Sequence, residues 1–176
     1  MINELSFYEF YESFDFKFDE IDKLIFEKAC QGSEDVLDMV YHYEDKIDVA
    51  YYGACMNNRV TLIKYLCDNG YGPNEVENIM VVAIVFSSIE ILDWFYDILG
   101  ESCINHKLFN EALVSDRREI IKWLLRKKCQ IDYEEAFFIV LHHKIPNSYE
   151  LMKKHIVTNK ETHKIEIVKS MLRIMD

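Results

Sequence analysis

Apolar positions recur along this chain at a fixed spacing of 29 residues. Ala54, Ala83 and Ala112 lie one period apart, and so do Ala50, Ile79 and Leu108. Leu62, Ile91 and Ile120 share a column, as do Ile63, Leu92 and Ile121, then Tyr65, Trp94 and Trp123, then Leu66, Phe95 and Leu124. Within each unit the apolar residues have helical spacing twice over. The first half places Ala50 and Ala54, or Ile79 and Ala83, at i and i+4, which predicts a helix whose small residue lets a neighbour approach closely. The second half sets apolar pairs around one polar residue, as in Leu62-Ile63-Lys64-Tyr65-Leu66 and Ile120-Ile121-Lys122-Trp123-Leu124, and predicts a second helix with its lysine in water. Between the halves, Ser87 with Glu90 and Asp116 with Glu119 read as capping boxes in which Ser87 and Asp116 open the second helix. Asn58 holds the same column, where Thr61 breaks the box.

Weaker copies flank these three units. Ala29-Cys30 followed by Ser33 to Val40 repeats the motif with a shorter gap, and Cys30 then shares the column of Cys55. Ala136 opens a further first helix, and Asn147 to Lys153 supplies its second. The pattern therefore predicts five helix pairs. Ile165, Ile167, Val168, Met171, Leu172 and Met175 predict one more amphipathic helix over 161–175. At the other end, Phe7, Tyr8, Phe10, Tyr11, Phe14, Phe16 and Phe18 crowd seven aromatics into eighteen residues. Phe14, Phe16 and Phe18 alternate with strand period, whereas Leu5, Tyr8 and Tyr11 fit a short helix. This segment reads either as a cap packed on the first pair or as an aromatic patch that binds a partner or a second copy.

Composition narrows the class. Half of the residues are apolar and only 5 are Gly and 2 Pro, which is an ordered globular composition and excludes a disordered chain. No apolar run reaches the roughly 18 to 20 residues that span a bilayer, and the start Met1-Ile2-Asn3-Glu4-Leu5 is acidic, so no membrane association is expected and the cytoplasm, or the nucleus, is the expected compartment. Five cysteines, none in a C-x-x-C pair, fit reduced thiols and no structural zinc. Residues 1–100 hold 20 acidic against 6 basic side chains, a net of −14, while residues 101–176 hold 11 against 14, a net of +3. An overall charge of −11 argues against general nucleic-acid binding.

No sequence motif carries catalysis. Gly-rich phosphate loops, a G-x-S-x-G elbow and an H-E-x-x-H zinc helix are all missing, so no catalytic residue, cofactor or metal is assigned and the chain does not read as an enzyme. His142 and His143 are neighbours on a predicted helix and point about 100° apart, so they do not share a metal unaided. Cys30 and Cys55 each follow the small residue of a first helix and read as core filler, and Trp94 and Trp123 read as interlayer core. Acidic pairs such as Asp19-Glu20 and Glu44-Asp45 read as solvated surface. Arg118, Lys122 and Arg126 form a basic stripe at i, i+4 and i+8, with Arg117, Lys127 and Lys128 at its edges and Lys153 and Lys154 on the next second helix. It reads as a solvated face near a helix C-terminus, or as a site for an acidic protein or a phosphate backbone, with the protein favoured of those two.

The segment from Tyr65 to Asn74, with Asn69-Gly70-Tyr71-Gly72-Pro73, resembles the end of the second helix and the Gly-rich exit of an ankyrin repeat. Leu124 to Asp132 resembles a version that has lost the glycine. The resemblance covers residues 21–157, with the regular units at 47–132, and departs from the family in lacking a Thr-Pro-Leu-His start and in its 29-residue period. It implies an all-α solenoid of stacked antiparallel helix pairs with shortened finger loops, capped by residues 1–20 and by a helix within 158–176. Short arrays of this kind are typical of large eukaryotic DNA viruses, where several bind host proteins and blunt innate immunity. The resemblance thus implies a viral accessory factor acting in the host cytoplasm on a host or cellular protein.

If the first helices line the concave face, the positions opposite the Ala column fall at Tyr52, at Glu77, Asn78 and Val81, and at His106, Lys107, Asn110 and Glu111. These eight residues are the expected partner surface, with Tyr52 as its aromatic anchor. Self-association through the aromatic N-terminus and nucleic-acid binding through the basic half are the competing readings.

Overall fold

The computed structural model describes residues 18–158. Among the described residues the chain is all-helical, with ten α-helices and no strand. The helices follow one another as α1 (Glu20–Gln31) and α2 (Asp35–His42), α3 (Ile47–Met56) and α4 (Val60–Asp68), α5 (Val76–Val85) and α6 (Ile89–Leu99), α7 (His106–Val114) and α8 (Arg118–Arg126), and α9 (Tyr133–His142) and α10 (Pro146–Thr158). Short 3-10 turns at Glu44–Lys46 and Gly100–Cys103 precede α3 and α7. No helix among the described residues is long and apolar enough to cross a membrane. The aromatic segment up to residue 17 and the amphipathic stretch over 161–175 lie outside the described residues. Phe18 is described, and its ring packs 6.0 Å from that of Phe26.

One residue with positive φ reverses the chain inside each pair. It is Gly32 (75°), Asn58 (51°), Ser87 (59°), Asp116 (46°) or Lys144 (55°). Its N–H donates three residues back, and the N–H after it donates five residues back. Asn58 N reaches Cys55 O at 3.2 Å and Arg59 N reaches Ala54 O at 2.8 Å. Ser88 N reaches Ala83 O at 2.8 Å, and Arg117 N reaches Ala112 O at 3.0 Å. These are Schellman closures, which satisfy carbonyls that the first helix leaves orphaned.

The closures correct the capping boxes expected at Ser87 and Asp116. A left-handed residue cannot take the extended backbone of an N-cap, so both residues close the first helix through their backbone instead of opening the second. The second helices α4 and α8 begin at Arg59 and Arg117 with no side-chain cap. A true capping box stands where none was read. The Asp19 carboxylate accepts from Asp22 N and the Asp22 carboxylate from Asp19 N, each at 2.9 Å, at the start of α1.

The residue after the left-handed one also reaches back to an earlier pair. Arg59 Nε donates to Cys30 O at the end of α1 (3.0 Å), and the buried Ser88 hydroxyl donates to Cys55 O at the end of α3. Arg59 and Ser88 are themselves 29 residues apart. The period therefore includes a polar link as well as apolar columns.

The chain divides into two compact units, Met1–Trp94 and Phe95–Asp176. In the first, α1 packs on α3 and α3 on α5, so first helices lie against first helices. Ile25, Phe26, Ala29, Ala50, Ala54, Ile79 and Ala83 are completely buried there. Gly53 permits the tightest approach, because a Cβ at this position would stand 2.5 Å from Phe26 O and 2.9 Å from the Ala29 Cβ. In the second unit α7 packs on α9 and α8 on α10. Leu108, Phe109, Ala112, Ile120, Ile121, Ala136 and Phe137 form its core, and Trp123 is buried beside them. Trp94 and Tyr65 are half-buried. The α4–α5 connection (69–75) and the α8–α9 connection (127–132) contain no strand.

The exits of α4 and α8 share one geometry despite different residues. Gly70 (φ 89°) and Lys128 (φ 57°) stand two periods apart, and the same pair of bonds closes both helices, with Tyr71 N on Leu66 O and Cys129 N on Leu124 O at 3.0 Å each. Lys128 thus holds a backbone conformation that favours glycine.

Two stability measurements test this packing. Ala in place of Gly inside a helix ordinarily gains about 0.5–1 kcal/mol. At Gly53 the crowding reverses the sign, so Gly53→Ala is expected to lower the urea-unfolding free energy by about 1–3 kcal/mol. Gly72→Ala, whose Cβ meets nothing within 4 Å, should change it little. Lys128→Gly should leave stability unchanged or raise it by up to about 1 kcal/mol, since relief of the left-handed strain offsets the added unfolded-state entropy.

Candidate functional site

The first helices are committed to packing to different degrees, and α3 most of all. In α3 eight of ten residues are buried, because the helix has α1 on one side and α5 on the other. Tyr52 is one of them, with 3% of its surface exposed. Its hydroxyl meets the Asn78 side chain of α5, and burial first, then the carboxylates of Asp48 and Glu75, raises its pKa above the ordinary tyrosine value. Tyr52 therefore joins α3 to α5 from inside and is not an exposed anchor. The expectation failed because the side opposite the Ala column faces the next first helix, not solvent. The neighbouring Tyr51 is buried too, with its hydroxyl 2.8 Å from Tyr71 O and 2.8 Å from Cys67 Sγ.

Exposed first-turn positions remain on α5 and α7, whereas in α3 Ile47 and Val49 are buried and Asp48 is half-buried. In the first unit, the Asp48 carboxylate accepts from Asn74 N at 2.8 Å and from Glu75 N at 3.4 Å, which fixes the chain where it enters α5. Glu77 and Asn78 follow and are exposed, and the Asn78 amide donates to the Glu75 carboxylate. Val81, one turn on, is half-buried. In the second unit Asn105 Oδ1 accepts from Leu108 N at 3.0 Å and caps α7. His106 and Lys107 are exposed in that first turn, while Asn110 and Glu111 are half-buried. Asn110 Oδ1 is buried without a hydrogen-bond partner. Of the eight residues expected at the surface, Glu77, Asn78, His106 and Lys107 are fully presented, two in each unit. Glu77 and His106 share a column, as do Asn78 and Lys107, so the exposed columns change chemistry where the buried Ala column does not.

The basic stripe lies on one helix. Arg118 and Arg126 are exposed on α8, and Lys122 between them is half-buried and donates to Glu119 Oε1 at 2.7 Å. Lys127 at its end lies 4.1 Å from the centre of the Tyr96 ring. Lys153 and Lys154 are exposed on α10, which packs on α8.

The cysteines are unsuited to nucleophilic chemistry at neutral pH. Burial pushes the Cys30 thiol up to about 12 and Cys129 up to about 11, and raises Cys55, Cys67 and Cys103 as well. No group of three His, Cys, Asp or Glu among the described residues is arranged to hold a metal ion.

Sequence reasoning missed one polar cluster. Asp19 reads with Glu20 as solvated, but its neighbour Asp22 is 4% exposed, and Lys46 Nζ sits 3.0 Å from Asp22 Oδ1 and 2.9 Å from Asp19 Oδ2. Backbone donation from Asp22 and then Lys46 hold Asp19 below the ordinary carboxylate range, and the two carboxylates raise Lys46. The signal was available as Asp19-x-x-Asp22 immediately before Leu24-Ile25-Phe26.

Removing Tyr52 should therefore cost folding. Tyr52→Ala is expected to lose about 3–5 kcal/mol in denaturant unfolding, as large-to-small core substitutions do. His106→Ala should stay within about 0.5 kcal/mol of the parent, as exposed positions do. No protein-family model matches the chain, and neither the curated proteins nor the solved structures include a match.

Proposed function

We propose that this chain is a protein-interaction module, an ankyrin-like array of helix pairs that presents the first turns of its first helices to a partner. The observation that carries this reading is the contrast between columns. Ala54, Ala83 and Ala112 are completely buried and unvaried, whereas from α5 to α7 Glu77 gives way to His106, and Asn78 to Lys107, at exposed positions one period apart; in α3 the same columns hold Asp48, half-buried, and Val49, buried. A regular scaffold with variable exposed columns is how repeat proteins tune recognition without disturbing their core. The strand-free connections at 69–75 and 127–132 support arrays of the short, finger-poor type. On that resemblance the partner is a host or cellular protein, and the module serves as a viral accessory factor in the host cytoplasm.

The test compares three baits in nuclease-treated eukaryotic cell extract: the parent, Glu77→Lys, and His106→Glu with Lys107→Glu. A protein retained by the parent and reduced about tenfold or more by either variant, at unchanged helical circular dichroism and Tm, supports the reading. Equal recovery by all three baits would remove these faces from the interaction. Recovery of nothing specific by the parent would overturn the module itself.

A further inference from the structure

The described cations of the second unit concentrate on its second helices. Arg117 and Arg118 at the start of α8, Lys122 and Arg126 along it, Lys127 and Lys128 after it, and Lys153 and Lys154 on α10 are surface groups. The carboxylates among them are already engaged. Glu119 is paired with Lys122 at 2.7 Å and Glu150 with Lys153 at 3.8 Å, while Asp116 accepts the Ser148 hydroxyl at 2.8 Å. The Glu119 carboxyl is held below its ordinary value by Lys122 first and by the fields of Arg118 and Arg126, as expected inside a positive surface.

We propose that this face of α8 and α10 binds an extended, acidic segment of a partner protein, with Arg118, Lys122 and Arg126 as its contact row. The inference rests on reading the chain as an interaction module. Along a helix, residues four apart rise about 6 Å, and an extended strand returns to the same side every 6–7 Å or so, so alternate acidic side chains match this row. Arginines at both ends supply planar, bidentate recognition of carboxylates.

Phosphates on a single nucleic-acid strand have a similar repeat, but the rings nearest the contact row are poorly placed for bases to stack on. Trp123 is 2% exposed and the Tyr96 ring is covered by the Lys127 ammonium. The net charge of −11 on each copy opposes self-association at long range, and light scattering tests a head-to-tail pairing of this face with the acidic residues 1–100 of a second copy.

The experiment uses the full chain and a fluorescent peptide of about 12 residues with Glu at alternate positions and Thr between, read by anisotropy. Saturable binding is expected, weakening as salt rises from about 0.05 M to about 0.3 M. Arg118→Glu with Arg126→Glu should weaken it about tenfold or more, while Lys64→Glu on α4 leaves it unchanged. No binding by the parent, or equal binding by the double reversal, would falsify the assignment. Tighter binding of a single-stranded oligonucleotide of matched charge would give the face to nucleic acid instead. A rise in mass with concentration in light scattering, abolished by the double reversal, would give it to a second copy. The peptide assay does not use the first-turn residues of α5 and α7, so it can fail while partner capture by those residues succeeds, and the reverse.

Discussion

The chain reverses inside each helix pair at an exposed left-handed residue, and the carbonyls that end the first helix there govern the rest. First helices of 9 to 12 residues are too short to be stable alone and must be packed on both sides. Packing removes water from their C-terminal ends, where carbonyls have no helical partner. The left-handed residue and the N–H after it satisfy two of these groups in each pair. Arg59 and Ser88 satisfy a third from the following pair, on Cys30 O and Cys55 O. Within the first unit, a first helix is therefore completed only when the next turn is in place. Nearest-neighbour dependence of this sort follows from hydrogen bonding as well as from apolar burial.

The same constraint explains the small-residue column. Ala54, Ala83 and Ala112 each provide the carbonyl that accepts the long closing bond of the turn, and each side chain is wholly buried. A larger residue there would push the neighbouring helix away from the end whose closure it must help complete. Gly53 beside Ala54 takes this to its limit, with the Phe26 carbonyl where a Cβ would be. Cys30 and Cys55 belong to the same geometry, being small, buried and positioned to offer their backbone oxygens. Their high thiol pKa values follow from this structural use.

Much of this was legible in the sequence because burial is periodic and spacing records it. Ala54, Ala83 and Ala112, the two apolar pairs around Lys64 and Lys122, and the helical class all follow from apolar positions alone. The turn was not legible, because Asn, Ser and Asp serve equally as N-caps and, for Asn and Asp especially, as left-handed residues, and Glu90 and Glu119 completed a convincing box. Lys144 in the last pair carries no such ambiguity and no signal either. Tyr52 was misplaced for a different reason. Periodicity identifies the side of a helix that meets one neighbour, but α3 has two, and a one-sided pattern cannot report the second. Asp22 escaped because a lone acidic residue usually lies in water, and Lys46, which pairs with it, is 24 residues away in the chain.

Positions committed to closure and stacking leave two places where the fold constrains residue identity less. One is the exposed part of the first turns of α5 and α7, in contrast to Asp22 in α1 and Asp48 in α3, whose carboxylates are engaged. The other is the outward side of the second helices, where Asp35, Asp38 and Asp68 outnumber Lys64 in the first unit and Arg118, Lys122 and Arg126 lie in the second. Substitutions at such exposed sites change stability by only about 0.5 kcal/mol, whereas those in the Ala column act on packing and on the turn together. Charge can therefore drift to opposite signs on the second helices of the two units while the 29-residue columns beneath keep their apolar character. On the proposed interaction-module reading, recognition and folding would be written on separate positions, so that a change in partner would not require a change in the core.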